Sequence, residues 1–226
     1  NAVGMALAEA YLANYFNRPN HAIIDHYTYV IAGDGDLMEG VCMEACALAG
    51  HWGLGKLIVL YDANDITLDG DANMTFTENI RLRHESWGWQ VLDVANGNDT
   101  HAINTAIASA KADATRPSII IVKTIIGYGS PNKAGSSKAH GSPLGKDEIA
   151  LTKAAYGWEH EPFFIPEDAL SHFRTAVERG TVDEVAWTMK LLAYRTTHPD
   201  LAKQLESVLA GELPDGWDAD LPVFPV

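Results

Sequence analysis

The chain has 226 residues, 47% of them hydrophobic and 20% charged, with a formal net charge of −14 at pH 7. That length holds one large α/β domain with a sizeable core, while the acid excess argues against nucleic acid or an anionic membrane surface as partner. No run of ~20 apolar residues marks a membrane span, and a phosphate ligand stays possible because a metal can invert the charge of one site.

Residues 1–16 read as a helix, with Val3, Ala6, Leu7, Ala10 and Tyr11 at helical spacing. The pattern opens without a Met or a cap, so upstream sequence is expected. Asn17 to Asn20 stop the helix, and a polar connector follows whose His21 and His26 read as exposed. Tyr29 to Ala32 read as a buried strand, broken at Gly33-Asp34-Gly35. A helix is expected over 37–49, with Val41, Ala45, Leu48 and Ala49 on one side. Cys42 and Cys46, the two cysteines of the chain, share a face of that helix and read as core residues. So few cysteines fit a reducing, cytoplasmic setting. Gly50 to Gly55 turn the chain into a second strand, Leu57 to Tyr61, ending at Asp62-Ala63-Asn64. Strand, glycine turn, helix, strand is the pattern of a parallel α/β sheet.

The glycine turn has its own chemistry. Glycines allow a sharp turn and close ligand approach, and unpaired N–H groups at a helix start attract anions. Asp34 places a carboxylate where a phosphate would sit. A divalent cation resolves the conflict, and Mg²⁺ suits it, being bound by few protein oxygens plus substrate phosphates. Asn64 supplies a second oxygen if the two strand ends meet, as parallel strands bring their carboxyl ends to one edge. The Ile66 carbonyl offers a third. The bland alternative is a plain structural turn, with Asn64 in an Asx-turn. Two other motifs are broken: Met38 replaces the third glycine of a dinucleotide fingerprint, and Leu57 replaces the Ser/Thr of a GxxxxGK loop that precedes, rather than follows, a strand.

Further along, the acidic loop 65–76 looks like a Ca²⁺ loop but lacks its closing Glu. A helix is expected over 77–87 with Thr77 as N-cap, then a strand over 89–94, an Ala-rich helix over 100–113 and a buried strand over 118–124. Lys123 reads as solvated. A glycine-rich loop carries Ile126 and His140, and a lone loop histidine usually lies at the surface. Helices are expected over 146–156, 166–178, 181–196 and 198–209, with Trp187, Leu191, Leu192 and Tyr194 for packing.

Asp34-Gly35, 28 intervening residues and Asn64 resemble the thiamine diphosphate motif. GDGDLMEG, YDANDITLDGD and TIIGYGSPNKAGSSKAHGSPLG together resemble transketolases. The resemblance implies an α/β fold, a mainly parallel sheet flanked by helices, with residues 1–210 as a diphosphate-binding (PP) domain lacking its opening portion and 211–226 as a link to a pyrimidine-binding (Pyr) domain. It implies thiamine diphosphate with Mg²⁺ (Ca²⁺ or Mn²⁺ substituting) on Asp34, Asn64 and the Ile66 carbonyl. Gly35 would offer its N–H to the diphosphate, with Leu68 and Ile126 as further cofactor contacts. His140 matches the family histidine that contacts the diphosphate and faces substrate, whereas the auxiliary histidine three positions earlier is Ser137 here. Glu39 matches a glutamate of an inter-subunit carboxylate network in which burial would favour a shared proton. The implied reaction is ketol transfer between sugar phosphates in the pentose phosphate pathway. The implied partners are the rest of the chain and the second subunit of a homodimer, so the chain alone is expected to be inactive. Dihydroxyacetone synthase, deoxyxylulose phosphate synthase and a non-catalytic partner-binding fragment remain alternatives.

Overall fold

A computed structural model describes residues 1–213, 216–222 and 224. The elements run α1 (Ala2–Phe16), β1 (Thr28–Gly33), α2 (Asp34–Met38), α3 (Gly40–His51), β2 (Leu57–Ala63), α4 (Ile80–Ser86), β3 (Gln90–Val94), α5 (Thr100–Ala112), β4 (Ser118–Lys123), α6 (Lys146–Ala155), α7 (Glu167–Thr197) and α8 (Pro199–Leu209). They form two compact units: Asn1–Ala10 with His26–Pro162, and Tyr11–Asp25 with Phe163–Val226.

The first unit holds a fully parallel sheet of order β1-β2-β4-β3. β2 and β4 are central and read as near-continuous apolar runs because both sheet faces are covered. Leu57, Val59 and Ile119 face a core with Ala6 of α1 and Cys46 and Ala49 of α3. Ile58, Ile120 and Val122 point the other way, onto Ala106 and Ala110 of α5. This is the two-residue period of a strand working between two helix layers. Trp89 is almost fully buried and donates its indole N–H to the Cys46 carbonyl at 2.9 Å. Glu9 is buried and paired with Lys56 at 2.6 Å.

In the second unit, Phe16, Ile23, Leu191, Tyr194, Ala202 and Leu205 make a separate core. Tyr194 donates its hydroxyl proton to the Phe16 carbonyl at 2.6 Å, and Trp187 its N–H to the Ile23 carbonyl at 2.9 Å.

Several expectations are corrected. Tyr29 and Ile31 are exposed, because β1 is an edge strand with no neighbour on its outer side among the described residues. The helix after the glycine turn is two helices, since Glu39 adopts an extended conformation (ψ 129°) ahead of Gly40. Val41 and Leu48 are exposed; Cys46 and Ala49 face the core. Asn79, not Thr77, caps α4, accepting from the Leu82 N–H at 3.0 Å. α7 runs unbroken through Gly180, which costs a helix about 1 kcal/mol relative to Ala but removes no hydrogen bond. Leu192 is exposed rather than packed. Of the proposed link 211–226, Pro214, Asp215, Val223, Pro225 and Val226 lie outside the described residues.

Gly50 fixes the approach of α3 to the segment before β3. A Cβ there would lie 2.0 Å from the Trp87 carbonyl oxygen, whereas one at Gly4 in α1 meets nothing within 4 Å. Gly50→Ala is therefore expected to cost about 3 kcal/mol or more, and Gly4→Ala to be neutral or to stabilise by about 0.5–1 kcal/mol. Urea unfolding of the two variants checks both signs.

Candidate functional site

The sheet register builds the site. Gly33 of β1 lies opposite Asp62 of β2, and Ala63 opposite Lys123 of β4. The carboxyl ends of three neighbouring strands thus meet at one edge, where open α/β sheets bind ligands. Asp34 and Asn64 leave adjacent strands there.

Asp34 is 4% exposed. A buried carboxylate needs hydrogen-bond donors, and it has two: the Tyr61 hydroxyl reaches Oδ1 at 2.6 Å and the Asp65 N–H reaches Oδ2 at 3.1 Å. Burial first, then the bond to Asp34 and its charge, push the Tyr61 hydroxyl far above its ordinary value, so it stays a neutral donor. Asp65 has φ +62°, a left-handed conformation that Asp tolerates, and this turns its N–H toward Asp34.

Asn64 is tethered on both sides. Its Oδ1 accepts from the Ile66 N–H at 2.9 Å and its amide donates to Asp62 at 3.1 Å. The Asx-turn is therefore real, and it aims rather than consumes the amide oxygen, which keeps a second lone pair. Ile66 bridges Asp71 through bonds made by its neighbours, Ala72 N–H to the Asp65 carbonyl and Thr67 N–H to the Gly70 carbonyl. The Ile66 carbonyl takes no part in those two bonds.

His140 arrives on the long loop that follows β4. Gly127, at φ +62°, lets the turn 137–139 settle; a Cβ on it would lie 2.8 Å from the Ala139 methyl. The loop is pinned by Glu148, a buried carboxylate in the first turn of α6. It accepts from the Ser130 hydroxyl, the Asn132 N–H at 2.8 Å and the Asn132 amide at 2.9 Å. Nδ1 of His140 is buried and has no hydrogen-bond partner.

These residues line one cavity of about 590 Å³: Gly33, Asp34, Gly35, Asp36, Glu39, Asp62, Asn64, Ile66, Ile126, Ala139, His140 and Gly141. Glu39 is exposed at its rim. Leu68 is outside the lining and 65% exposed, near Gly141, where a Cβ would stand 3.5 Å from it. Lys123 pairs with Asp65 instead of entering the cavity. Sequence reasoning passed over Tyr61, Asp65, Asp36 and Asp62. Asp36 returns its carboxylate to the Gly33 N–H at 2.8 Å, and Asp62 accepts from Asn64 and from the Thr124 hydroxyl. Only the density of Asp in 34–36 and 62–65 signalled them. Helix α2 has five residues, so its dipole adds less than one long helix would. A larger cavity, about 720 Å³, lies in the second unit between Tyr11, Tyr15 and Asp200, Gln204, and it contains none of the predicted residues.

The cavity wall has four carboxylates and no Lys or Arg among the described residues. Among the described residues, no three His, Cys, Asp or Glu side chains converge as a metal cage. A cation bound here would thus draw on Asp34, the Asn64 amide, a backbone carbonyl and the ligand's own oxygens, which is the donor set Mg²⁺ takes.

A parallel α/β domain with a polar cavity at its carboxyl edge defines a ligand-binding domain of the open-sheet class. The family model described as transketolase, thiamine diphosphate binding domain, matches residues 1–214. The chain is 55% identical over 225 residues to the transketolase of Geobacillus stearothermophilus and 50% to that of Bacillus subtilis, covering 99% of this chain and 34% of each relative. Its structure is similar to the transketolase from Leishmania mexicana (TM-score 0.94, 42% identity, 99% of this chain, 34% of that one) and to a Pichia stipitis transketolase in complex with sedoheptulose-7-phosphate (TM-score 0.94, 38% identity, 99% and 33%). The chain belongs to the transketolase family, as its thiamine diphosphate-binding domain, and spans about a third of the length of the relatives it matches. No helix among the described residues is long and apolar enough to cross a membrane.

Three hydrogen bonds, that from Ser130 foremost, hold the Glu148 carboxyl below its ordinary range. A depressed carboxyl stabilises the fold above its unfolded value, about 4.3, and that contribution is lost as pH falls through the folded value. Glu148→Gln is expected to speed proteolysis within 131–145 at pH 7. The wild type should approach the variant's rate only below the ordinary glutamate range, and limited proteolysis across pH reads this.

Proposed function

We propose that the intact protein is a transketolase, moving a two-carbon ketol unit from a ketose phosphate to an aldose phosphate, and that this chain anchors thiamine diphosphate through Mg²⁺, for which Ca²⁺ or Mn²⁺ can substitute. The observation that carries the reading is the acidic cavity. A diphosphate is excluded from four carboxylates unless a divalent cation stands between them, and Asp34, Asn64 and Ile66, which line that cavity, offer the oxygens such a cation takes. Gly35 is exposed and lines the same cavity, and its N–H is assigned to the diphosphate. Ile126 lines the cavity and Leu68 lies beside it, each an apolar contact for the cofactor. When bound, thiamine diphosphate supplies the electron sink for breaking a carbon–carbon bond next to a carbonyl.

The chain's own part is to bind, orient and hold protons. Asp34, fixed by Tyr61 and Asp65, presents its remaining lone pairs without rearrangement. The unpartnered His140 Nδ1 is a hydrogen-bond or proton site for an anionic group brought into the cavity, and imidazole performs either task near neutral pH. Glu39 at the rim is proposed for the carboxylate network between subunits of a homodimer. Residues 1–210 serve as the PP domain, supported by the family match over 1–214, and 211–226 lead to the Pyr and C-terminal domains. A cytoplasmic location is proposed from the two unbridged cysteines. Dihydroxyacetone synthase or deoxyxylulose phosphate synthase activity is the second reading, which substrate profiling of the native-length protein separates.

Calorimetric titration of the native-length protein with thiamine diphosphate, with and without Mg²⁺, tests the anchor. Asp34→Asn is expected to weaken metal-dependent binding at least about tenfold; unchanged affinity overturns the assignment. His140→Ala is expected to keep metal-dependent binding and lose about 10²-fold or more in kcat. The 226-residue chain alone is expected to give no ketol transfer, and turnover by it would refute the dependence on the missing domains.

A further inference from the structure

Arg83 lies in α4 with a side chain only 13% exposed. It is outside the cavity lining, and the proposed metal anchor makes no direct use of it. A guanidinium is planar, always charged and carries five donors, so what its fork and its faces meet defines its task. One terminal nitrogen donates to the Leu37 carbonyl at 3.1 Å and the other to the Glu78 carboxylate. The guanidinium carbon stands 5.5 Å from the ring centroid of Phe76 and 5.5 Å from that of Trp87, within cation–π reach. Nε is buried and has no hydrogen-bond partner. An unpaired interior donor is a cost to folding, and here it accompanies contacts that reach two parts of the candidate site.

The first part is α2. Leu37 belongs to the last turn of this five-residue helix, which starts at Asp34 and Gly35, and last-turn carbonyls have no partner within their own helix. The second part is the segment 65–76. Phe76 closes it, with its N–H bonded to the Ala72 carbonyl at 2.9 Å, and Asp65 and Ile66 open it. The bond from the Asp65 N–H to Asp34 joins the same two stretches at their other ends. Arg83 supplies a second link between them, from a helix that belongs to neither. Its charge reaches the anchor as well: burial and the bond to Asp34 push the Tyr61 hydroxyl up, and the Arg83 charge pulls the other way.

We propose that Arg83 is a positioning residue of the metal anchor, tying the end of α2 to the segment 65–76 and so fixing Asp34 relative to the Ile66 carbonyl. The inference rests on the Mg²⁺–diphosphate reading above and deepens it. Arg83 acts through Leu37 and Phe76. Groups that orient metal ligands from outside govern metal affinity, so the loss of Arg83 falls on cofactor binding rather than on the chemical step. Lysine is no substitute. It keeps the charge but has no planar fork to hold Leu37 and Glu78 while lying against the rings.

The test titrates the native-length protein with thiamine diphosphate across a range of Mg²⁺. Arg83→Lys is expected to weaken metal-dependent binding about tenfold, with excess Mg²⁺ restoring it and kcat at saturating metal and cofactor staying within about twofold of wild type. Phe76→Leu, which leaves the guanidinium in place but removes the ring contact, is expected to shift binding in the same direction. Arg81→Lys, on the same helix but in an exposed pair with Glu85 and Asp93, is expected to bind as wild type. Hydrogen exchange of the protein without metal or cofactor gives a second readout: in Arg83→Lys, amides of 34–39 and 65–76 exchange faster while those of β4 do not change. Wild-type, metal-dependent affinity in Arg83→Lys overturns this inference and leaves the anchor standing. So does a rise in exchange that extends equally to β4, or a loss of kcat that excess Mg²⁺ fails to restore, since either marks Arg83 as a packing residue of the core. Cofactor affinity of the wild type that is independent of Mg²⁺ overturns the anchor and this inference together.

Discussion

The site depends on one buried carboxylate. Asp34 sits at the end of an edge strand, and its two hydrogen bonds reach Tyr61 within β2 and Asp65 beyond it. An isolated buried carboxylate would cost several kcal/mol, so these donors cannot be lost without loosening the junction of β1 and β2. In exchange, the junction fixes Asn64 beside Asp34 and shapes the chain from 65 to 72, where the Ile66–Asp71 bridge closes the loop. A polar network satisfied by backbone and hydroxyl donors is rigid, and rigidity is what a metal anchor needs.

Electrostatics then select the ligand. The chain is acidic throughout, and the cavity concentrates that character in Asp34, Asp36, Glu39 and Asp62. Such a wall repels a bare diphosphate and attracts a divalent cation, so in the proposed function the binding of cation and of anionic cofactor is thermodynamically linked: each improves the site for the other. The opposite wall is a glycine-rich loop that could not order itself from its own composition. Glu148 orders it by collecting three donors from 130–132, at a distance from His140 that leaves the imidazole free for the cavity.

The sheet and the polar residues proposed for the metal anchor were legible in the chain because they are local. Apolar runs bounded by Gly33-Asp34-Gly35 and Asp62-Ala63-Asn64 mark strand ends directly, and strands alternating with helices favour a parallel sheet. Helix details were less legible. Glu39 is a strong helix former held extended, Thr77 loses the capping role to Asn79 two residues on, and Gly180 sits inside a 31-residue helix with good formers on both sides. In each case local propensity differs by about 1 kcal/mol or less between the alternatives, so packing decides. The apolar Ile31, Val41 and Leu48 misled for another reason: sequence marks a residue as apolar but does not name the surface that covers it.

By itself the sequence determined the α/β class, the strand ends and the residues whose chemistry suits a metal and a diphosphate, because these follow from residue type and short spacing. Tertiary structure alone decided that β1 and β2 are neighbours with Gly33 opposite Asp62, that Tyr61 and Asp65 hold Asp34, and that His140, on the loop after β4, lines the same cavity. Those contacts join residues 27 to more than 100 positions apart. Register, burial and loop path set them, and none of these is written in any one stretch of the chain.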